Sequence, residues 1–209
     1  MRNTSGQPSR QLTVAQYLEL EELSTVKHEL VGGELYAMTG TTIRHNRIAG
    51  NVFARLKAAE RRGPCRVFIA DIKVRAGEDV VYYPDLVVMC GTSEPSDVVA
   101  SSPCAIVEVT SRGTVRIDRG EKLAAYRNVA SLQIYLIVDQ YRRRVTCHRR
   151  DDAGQWRTID VEQAGMIDIP CPRSQLTLDE IYEDVELPPL GVAEPEPDGE
   201  ESEYAPERG

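Results

Sequence analysis

The central passage of the chain, residues 104–139, reads CAIVEVTSRGTVRIDRGEKLAAYRNVASLQIYLIVD. Its two ends, 104–110 and 134–139, are apolar runs rich in β-branched residues, which is typical of buried strands. Between them, residues 116–129 carry apolar side chains at a helical spacing. A strand–helix–strand unit of this length is long enough to join two parallel strands by a right-handed crossover. The passage therefore predicts an α/β fold with a mixed β-sheet flanked by helices.

The segments on either side of this passage predict the remaining elements from their apolar spacing and turn residues. They are an N-terminal helix over 12–23, a hairpin over 27–38 around Gly32-Gly33, a helix over 43–62, an antiparallel strand pair over 66–76 and 80–89, a second strand pair near 143–150 and 155–161, and a short helix over 177–183. We expect a flexible N-terminus over 1–11, one folded domain over 12–186 and an acidic, proline-rich, disordered tail over 187–209.

Composition limits the class of protein. The chain of 209 residues is long enough for one domain with a real core. No apolar run approaches the roughly 18 residues needed to cross a bilayer, and the polar N-terminus lacks the apolar stretch of a signal peptide, so we expect a cytoplasmic protein without membrane contact. The net charge is −8, and the tail from Leu187 onward accounts for −6 of it. Charge therefore neither supports nor excludes binding to DNA.

The cysteines show no pattern of a metal site or a disulfide framework. They are Cys65, Cys90, Cys104, Cys147 and Cys171. Their number is odd, they are widely spread, and no two form a C-x-x-C pair, which argues against a disulfide framework and against a zinc site. We therefore expect reduced, mostly buried thiols.

Two acidic residues lie inside apolar runs that predict strands. Asp85 belongs to the run 80–89, VVYYPDLVVM, and Glu108 to 104–110, CAIVEVT. A buried acid must find a partner or a metal, because burying it unpaired costs several kcal/mol. The two carboxylates, with the main-chain carbonyl of Val109, suit an oxygen-loving ion such as Mg²⁺ or Mn²⁺, which can activate a water and neutralise charge on a phosphodiester. The alternative is two acids that are satisfied separately by salt bridges.

These acids are part of a longer, ordered set of motifs. In chain order the set is His28-Glu29-Leu30, Gly33-Glu34, Pro84-Asp85, Glu108-Val109-Thr110-Ser111, Asp118, Lys122, Tyr126 and Val138-Asp139. Over roughly residues 12–183 the chain resembles the PD-(D/E)XK nuclease superfamily, the fold of many restriction enzymes. The resemblance is closer to one restriction-endonuclease-like bacterial branch (Uma-two-like), which is abundant in cyanobacteria and was once labelled a domain of unknown function.

The lysine of the motif is displaced in this chain. The third position of the (D/E)XK element is Thr110, so the usual strand lysine is absent. The resemblance implies that Lys122 in the following helix takes its place, and the four-residue spacing from Asp118 to Lys122 puts both on one helix face. Lys73 is the alternative, because a strand through residues 71–73 would point Asp71 and Lys73 the same way.

The resemblance implies a metal-dependent endonuclease that hydrolyses DNA phosphodiester bonds with Mg²⁺ or Mn²⁺. Asp85 and Glu108 would bind the ion together with the carbonyl of Val109. Lys122 would assist the nucleophile or the transition state, and Glu34 would support it from the hairpin. Cutting both strands of a duplex calls for two sites, so we expect a homodimer. The competing hypothesis is a catalytically inactive nuclease fold that binds nucleic acid or a protein partner.

The sequence is compatible with two different roles for each of two polar residues. Glu34 is either a fourth polar member of the site or an exposed hairpin acid. His45 is either a phosphate contact at the start of its helix or a partly exposed residue of the helix cap. The tertiary structure has to distinguish these roles, because the residue types fit both.

Overall fold

The computed structural model describes residues 11–38, 40–61, 63–91, 98–100, 102–111 and 114–189. Residues 1–10 of the predicted flexible N-terminus and 190–209 of the predicted tail lie outside this part of the chain.

The helices are α1 (Val14–Leu23), α2 (Ile43–Glu60), α3 and α4 (Leu178–Ile181). The helix α3 consists of Val115–Ile117, a π-helical turn Asp118–Lys122 and Leu123–Arg127. The strands are β1 (His28–Val31), β2 (Glu34–Ala37), β3 (Cys65–Ile69), β4 (Lys73–Arg75), β5 (Val81–Tyr82), β6 (Leu86–Cys90), β7 (Val99–Ala100), β8 (Pro103–Thr110), β9 (Ile134–Asp139), β10 (Arg144–Arg150), β11 (Trp156–Glu162), β12 (Met166–Ile169) and β13 (Ser174–Thr177).

The predicted strand–helix–strand unit forms the middle of a six-stranded sheet of order β11-β10-β9-β8-β6-β3. β8 runs parallel to β9, with Glu108 opposite Ile137, and antiparallel to β6. α3 connects β8 to β9. Every residue of β8 is buried, and a strand covered on both faces has a continuous apolar sequence rather than an alternating one. The mixed α/β sheet predicted from the sequence is confirmed.

The two strands predicted over 66–76 and 80–89 are antiparallel, but neither is continuous. Each breaks in its middle, so that β3 and β6 belong to the six-stranded sheet, while β4 and β5 belong to a five-stranded sheet of order β2-β1-β5-β4-β7. The breaks have backbone causes: Ala70 has a left-handed φ of 52°, and Pro84 has no N–H for a strand ladder. The amide of Ala70 donates to the carbonyl of Asp85 over 2.9 Å. Asp85 therefore lies at the corner where the chain passes between the sheets.

The predicted N-terminal helix and hairpin are both present, and they pack together. β1 and β2 form the hairpin around Gly32-Gly33, whose residues both have positive φ. Tyr17 of α1 is fully buried against Leu30 of β1. Its hydroxyl donates to the carbonyl of His28 over 2.6 Å. This contact fixes the strand that carries Glu29.

Two apolar cores use alternate residues of β8. One core contains Val107 and Val109 together with the buried face of α2, and the other contains Ile106 together with residues of α3. Because side chains alternate along a strand, Glu108 has the same orientation as Ile106 and points toward α3. The sheet therefore presents this acid to the helix that carries Lys122.

The C-terminal part of the fold matches the predicted elements and adds one hairpin. β10 and β11 form the second predicted strand pair, and α4 lies inside the helix predicted over 177–183. The antiparallel hairpin of β12 and β13 was not predicted, because strands of four residues give a short periodic signal. Within the described ranges, no helix has both the length and the apolar character needed to cross a membrane.

The sequence argument against cysteine pairing is wrong for four of the five cysteines. The structure pairs Cys65 with Cys171 and Cys90 with Cys104, and Cys147 is a buried free thiol. The positions are distant in sequence, but β3, β6 and β8 are neighbours in the sheet. Strand order brings the thiols together, and sequence spacing does not show strand order.

Candidate active site

A cleft of about 170 Å³ is lined by residues of both larger sheets, of α2 and of α3. Its acidic lining residues are Glu29, Asp85, Glu108 and Asp118. Among the described residues that line it, the basic ones are His45 and Lys122. Charged groups from segments far apart in the sequence therefore meet in one place.

Asp85 is anchored to the neighbouring strand β8. Its Oδ2 accepts a hydrogen bond from the amide of Val109 over 2.7 Å and lies 3.2 Å from Nε2 of His45. Burial by itself lowers the pKa of His45, but the hydrogen bond and negative charge of Asp85 outweigh burial, so that the pKa is raised. The imidazole is therefore stabilised in its charged form beside the Asp85 carboxylate.

Glu108 is buried and receives two hydrogen bonds from α3. Its Oε1 accepts from Nζ of Lys122 over 3.1 Å and from the hydroxyl of Tyr126 over 3.2 Å. Burial raises the pKa of Glu108 well above its usual value; Lys122 opposes this shift, and the charges of Asp118 and Asp85 add to it. Its ionised form is therefore stabilised by any cation placed nearby.

Lys122 lies among three carboxylates. Its Nζ is 3.1 Å from Oε1 of Glu108, 3.2 Å from Oε1 of Glu29 and 3.5 Å from Oδ1 of Asp118. Only 5% of the residue is exposed. Asp118 and Lys122 begin and end the π-helical turn of α3. The structure thus brings the helix lysine to the acid of the strand motif.

Lys73, the alternative lysine, lies elsewhere. Its Nζ is 5.0 Å from the centre of the Tyr83 ring, and Lys73 is not among the described residues that line the cleft. Asp71 precedes β4, has a left-handed φ of 62° and forms an exposed ion pair with Lys27. The prediction that Asp71 and Lys73 share a strand is therefore wrong, because the chain turns between the two sheets at this point.

The hairpin supplies Glu29 to the cleft, whereas Glu34 lies outside its described lining. Glu34 is exposed at the turn end of β2, where its Oε2 accepts from the hydroxyl of Tyr36 over 3.3 Å. Glu29 is buried opposite Tyr36, and its Oε1 accepts from the amide of Tyr83 over 2.9 Å and contacts Lys122. Glu34 is two residues nearer to the turn than Tyr36, a separation of about 7 Å along a strand.

Two acids of the cleft, Glu29 and Asp118, were given no site role from the sequence, although both belong to the quoted motifs. Glu29, in the motif His28-Glu29-Leu30, is an acid inside a strand that packs on a core. An acid in such a strand is the same signal that singled out Asp85 and Glu108. Asp118 precedes Lys122 by four residues, so that the two side chains are neighbours on a helix. Both signals are present in the sequence.

The cleft holds more acidic than basic groups. Four carboxylates face one lysine and one histidine. Oδ1 of Asp118 is buried without a hydrogen-bond partner in the described part of the chain, and burial raises the pKa of this carboxyl, with Lys122 opposing the shift. A divalent cation would offset the excess negative charge, and carboxylate oxygens are the ligands that Mg²⁺ and Mn²⁺ prefer. The donor set therefore fits such an ion.

The described acidic side chains of the cleft are not gathered into one tight cluster. Among the described residues, no three acidic side chains bring donor atoms within 4.8 Å of one another. A compact cage of acids is therefore absent there. Asp85 is nevertheless tied to the strand that carries Glu108, since its carboxylate accepts a hydrogen bond from the amide of Val109, the residue that follows Glu108.

Comparison with known proteins identifies a family and several relatives of this chain. Residues 14–179 match the family model Uma2, described as "Putative restriction endonuclease". The chain is 31% identical over 149 residues to the "Uncharacterized protein sll1609" of Synechocystis sp. (strain ATCC 27184 / PCC 6803 / Kazusa), covering 69% of this chain and 84% of that protein. The "Uncharacterized protein slr1290" of the same organism is 28% identical over 177 residues, covering 84% of this chain and 93% of that protein.

A solved structure shares the fold. A crystal structure described as that of "a putative nuclease belonging to DUF820" from Anabaena variabilis ATCC 29413 superposes with a TM-score of 0.68 at 14% identity, covering 82% of this chain and 97% of that chain. Its identity is too low to show more than the fold. The family match covers most of the chain and includes the motifs that line the cleft. This chain belongs to the Uma2 family, the family described as "Putative restriction endonuclease".

Proposed function

We propose that this protein is a Mg²⁺- or Mn²⁺-dependent endonuclease that hydrolyses DNA phosphodiester bonds. The observation that carries the proposal is the meeting of Asp85, Glu108 and Lys122 in one cleft, with Nζ of Lys122 3.1 Å from Oε1 of Glu108. Thr110 stands where the strand motif usually has lysine, yet the fold delivers a lysine to the same acid from α3. Membership of the family supports nuclease chemistry.

In this mechanism Asp85 and Glu108 would hold the ion together with the carbonyl of Val109. When bound, the ion would act as a Lewis acid, activating a water and neutralising charge on the scissile phosphate. The hydrogen bond from the Val109 amide keeps the Asp85 carboxylate at the end of β8. The raised pKa of Glu108 reflects burial, so this carboxylate gains stability when a cation binds beside it.

Lys122 stabilises the negative charge that develops on the phosphate oxygens in the transition state. Glu29 and Asp118 hold its side chain on two further sides, so its position is set before substrate binds. Glu29 is in turn fixed by the amide of Tyr83. Glu29 is therefore a positioning residue, and it takes the role that the sequence had assigned to Glu34.

Nicking of supercoiled plasmid with Mn²⁺ or Mg²⁺ tests the proposal. The wild-type protein is compared with Glu108→Gln and Lys122→Met, and Glu34→Gln is the matched control because it removes an exposed acid of the same hairpin. We expect ion-dependent nicking that falls by about 10²–10³ in the first two variants and persists in the control. Equal nicking by wild type and Glu108→Gln would show that a contaminant or another site cuts the DNA.

Thermal unfolding with and without Mn²⁺ tests the ion site independently of activity. An ion that binds only the folded protein adds about 2.7 kcal/mol at a concentration 100 times its Kd. We expect a rise in the melting temperature for the wild type and a loss of that rise in Asp85→Ala. An identical melting temperature with and without the ion would argue against the site.

The second candidate function is binding of nucleic acid without cleavage. It is favoured by the ion pairs of Lys122 with three carboxylates inside the fold. These acids balance the positive charge of the ammonium, which therefore has less charge to offer a phosphate in the transition state. Anisotropy of a labelled duplex separates the two functions: binding with no nicking under either ion supports this candidate. Binding with ion-dependent nicking supports the nuclease.

Cutting both strands of a duplex requires two sites, so we further propose a homodimer that acts in the cytoplasm. Light scattering on protein eluting from a sizing column gives the mass of the assembly directly. A monomer at concentrations that linearise plasmid would contradict the dimer. Cell fractionation tests the location, and recovery outside the cytoplasmic fraction would contradict that part of the proposal.

A further inference from the structure

Four cysteines from distant segments meet at one end of the six-stranded sheet. Cys65 is the first residue of β3, Cys90 the last of β6, and Cys104 the second of β8. Cys171 lies between β12 and β13. Their four Sγ atoms all lie within 4.8 Å of one another.

The strand topology explains how the first three come together. β3, β6 and β8 lie side by side in the sheet, and each runs antiparallel to the next. The start of β3, the end of β6 and the start of β8 therefore lie at the same end of the sheet. Cys65 is directly opposite Cys90 in the pairing of β3 with β6. The active-site cleft is at the other end of the same strands, since Asp85 precedes β6 and Glu108 is near the end of β8. The cysteine cluster is therefore separate from that cleft.

Pairwise bonding accounts for only part of this arrangement. The pairs Cys65–Cys171 and Cys90–Cys104 have Cα separations of 6.2 and 6.0 Å, which fit disulfides. However, Sγ of Cys90 also lies 2.8 Å from Sγ of Cys171 and 3.4 Å from Sγ of Cys65. One sulfur thus approaches the sulfurs of both pairs, as expected when four sulfurs share a centre.

A single tetrahedral ion would use all four sulfurs as ligands. Zinc bound by four cysteines has Zn–S distances of about 2.3 Å, which gives S···S edges of about 3.8 Å around the tetrahedron. All six separations in the cluster fall below 4.8 Å. The compact size fits a mononuclear ion, and thiolate ligands in a tetrahedral set select zinc among the common divalent ions.

The surroundings are those of a closed structural site. Cys65 and Cys104 are buried in the core that packs against α2, and Cys90 and Cys171 are half-buried at its border. The guanidinium of Arg66 donates a hydrogen bond to the carbonyl of Cys65 over 2.9 Å. Cys147 is buried in the same core and is not part of the cluster, so a cysteine-rich core alone does not explain the convergence.

We propose that Cys65, Cys90, Cys104 and Cys171 bind one Zn²⁺ ion as a tetrathiolate structural site in the reduced protein. Four thiol protons are released on binding, and the four sulfurs remain reduced. The ion ties the hairpin of β12 and β13 to the edge of the six-stranded sheet, and its binding stabilises the folded chain. The sequence argued against zinc because no C-x-x-C pair is present, but these ligands are brought together by strand order.

Metal content is the first test. The full chain is purified with a non-thiol reductant and without chelators, and its zinc is measured by elemental mass spectrometry. We expect one zinc ion per chain, released when a mercurial reagent blocks the thiols, and all five cysteines alkylated after denaturation. Protein that retains two disulfides under these conditions, or fully reduced protein that binds no zinc after addition of the ion, would overturn the proposal.

Substitution separates the cluster from the remaining cysteine. Cys171→Ser removes a half-buried ligand that is outside the strands, and Cys147→Ser is the matched control in the same core. We expect Cys171→Ser to lose stoichiometric zinc and Cys147→Ser to keep it; the reverse result, or retention in both, would overturn the assignment. If Cys171→Ser does not fold, the visible absorption spectrum of Co²⁺ added to the metal-free wild-type chain tests the site instead. The strong visible bands of tetrahedral, thiolate-bound Co²⁺ are expected, and a spectrum of hexa-aqua Co²⁺ would overturn the site.

Discussion

Nζ of Lys122 lies 3.1 Å from Oε1 of Glu108, although the two residues belong to different elements and are 14 positions apart in the sequence. The pair is buried, and Glu29 and Asp118 approach the same ammonium. One buried lysine thus holds together acids from β1, β8 and α3. This makes Lys122 important for stability as well as for the proposed chemistry.

Replacing Lys122 by methionine is expected to destabilise the protein by about 3–5 kcal/mol near pH 8, since it leaves buried carboxylates without their cation. The deficit should shrink at pH 5.5. Because burial raises the pKa of Glu108 in the folded protein, the folded state takes up a proton more readily than the unfolded state, and stability is gained as the pH falls. Urea unfolding at the two pH values measures both effects.

Lys27→Met is the control for this comparison, because Lys27 forms an exposed ion pair with Asp71. Exposed pairs contribute about 0–1 kcal/mol, so this variant should lose little at either pH. A Lys122→Met deficit that is as small as that of the control would show that the buried acids are satisfied without the lysine.

Lys73 and Lys122 should differ sharply in their effect on nicking. Lys122→Met is expected to lower the single-turnover rate by about 10²–10³, because its ammonium lies at the acids of the cleft. Lys73→Met should stay near the wild-type rate, since Lys73 lies over the ring of Tyr83. Both rates are measured on the same plasmid with saturating Mn²⁺. A loss in Lys73→Met alone would assign the catalytic lysine to β4.

Glu29 and Glu34 are five residues apart on one hairpin but should respond differently to alanine. Glu29→Ala removes the acceptor of the Tyr83 amide and a partner of Lys122, with an expected loss of about 2–3 kcal/mol. Glu34→Ala, at an exposed site, should stay within about 0.5 kcal/mol. Chemical unfolding of both variants at pH 7 gives the comparison. Similar losses would contradict the placement of these two acids.

His148 is expected to make the protein less stable at mildly acidic pH. Its ring is buried beside Tyr135, and burial, with the charge of Arg127, lowers the pKa of His148 to about 4. An unfolded histidine titrates near pH 6.5. The unfolded state therefore binds more protons between pH 6.5 and 4, and stability falls as the pH is lowered through this window. At pH 5 the loss is about 2 kcal/mol.

The difference between wild type and His148→Gln isolates this contribution from other titrating groups. Free energies of unfolding are measured in urea at pH 7 and pH 5 for both proteins. The wild type should lose about 2 kcal/mol more than the variant over this range. An equal loss in both would show that His148 is protonated equally in the folded and unfolded states.

Much of the fold could be predicted because its signals are local. The apolar runs 104–110 and 134–139, separated by a helical pattern, indicate two neighbouring strands, and these became β8 and β9. Gly32-Gly33 indicates a tight turn because glycine accepts positive φ, and the turn joins β1 to β2. The acids in strand-like runs pointed to a site because a buried carboxylate needs a partner.

The long strand pair shows where local signals end. The runs 66–76 and 80–89 have the composition of continuous strands, but they bend near Ala70 and Pro84 and cross to a second sheet. Residue composition indicates that a segment suits a strand, but it does not indicate which sheet the strand joins. The bend is what puts Asp85 at a corner beside Val109.

The sequence by itself determined most of the element types, the family, and the presence of Asp85, Glu108 and Lys122 among the candidate site residues. Tertiary structure alone decided that Glu29 reaches Lys122 while Glu34 stays at the hairpin turn, and that cysteines as distant as Cys65 and Cys171 meet. The physical reason is the same in both cases. Side-chain periodicity is a property of a few consecutive residues, whereas meeting in space depends on strand order and on how hairpin and helix pack across the sheet.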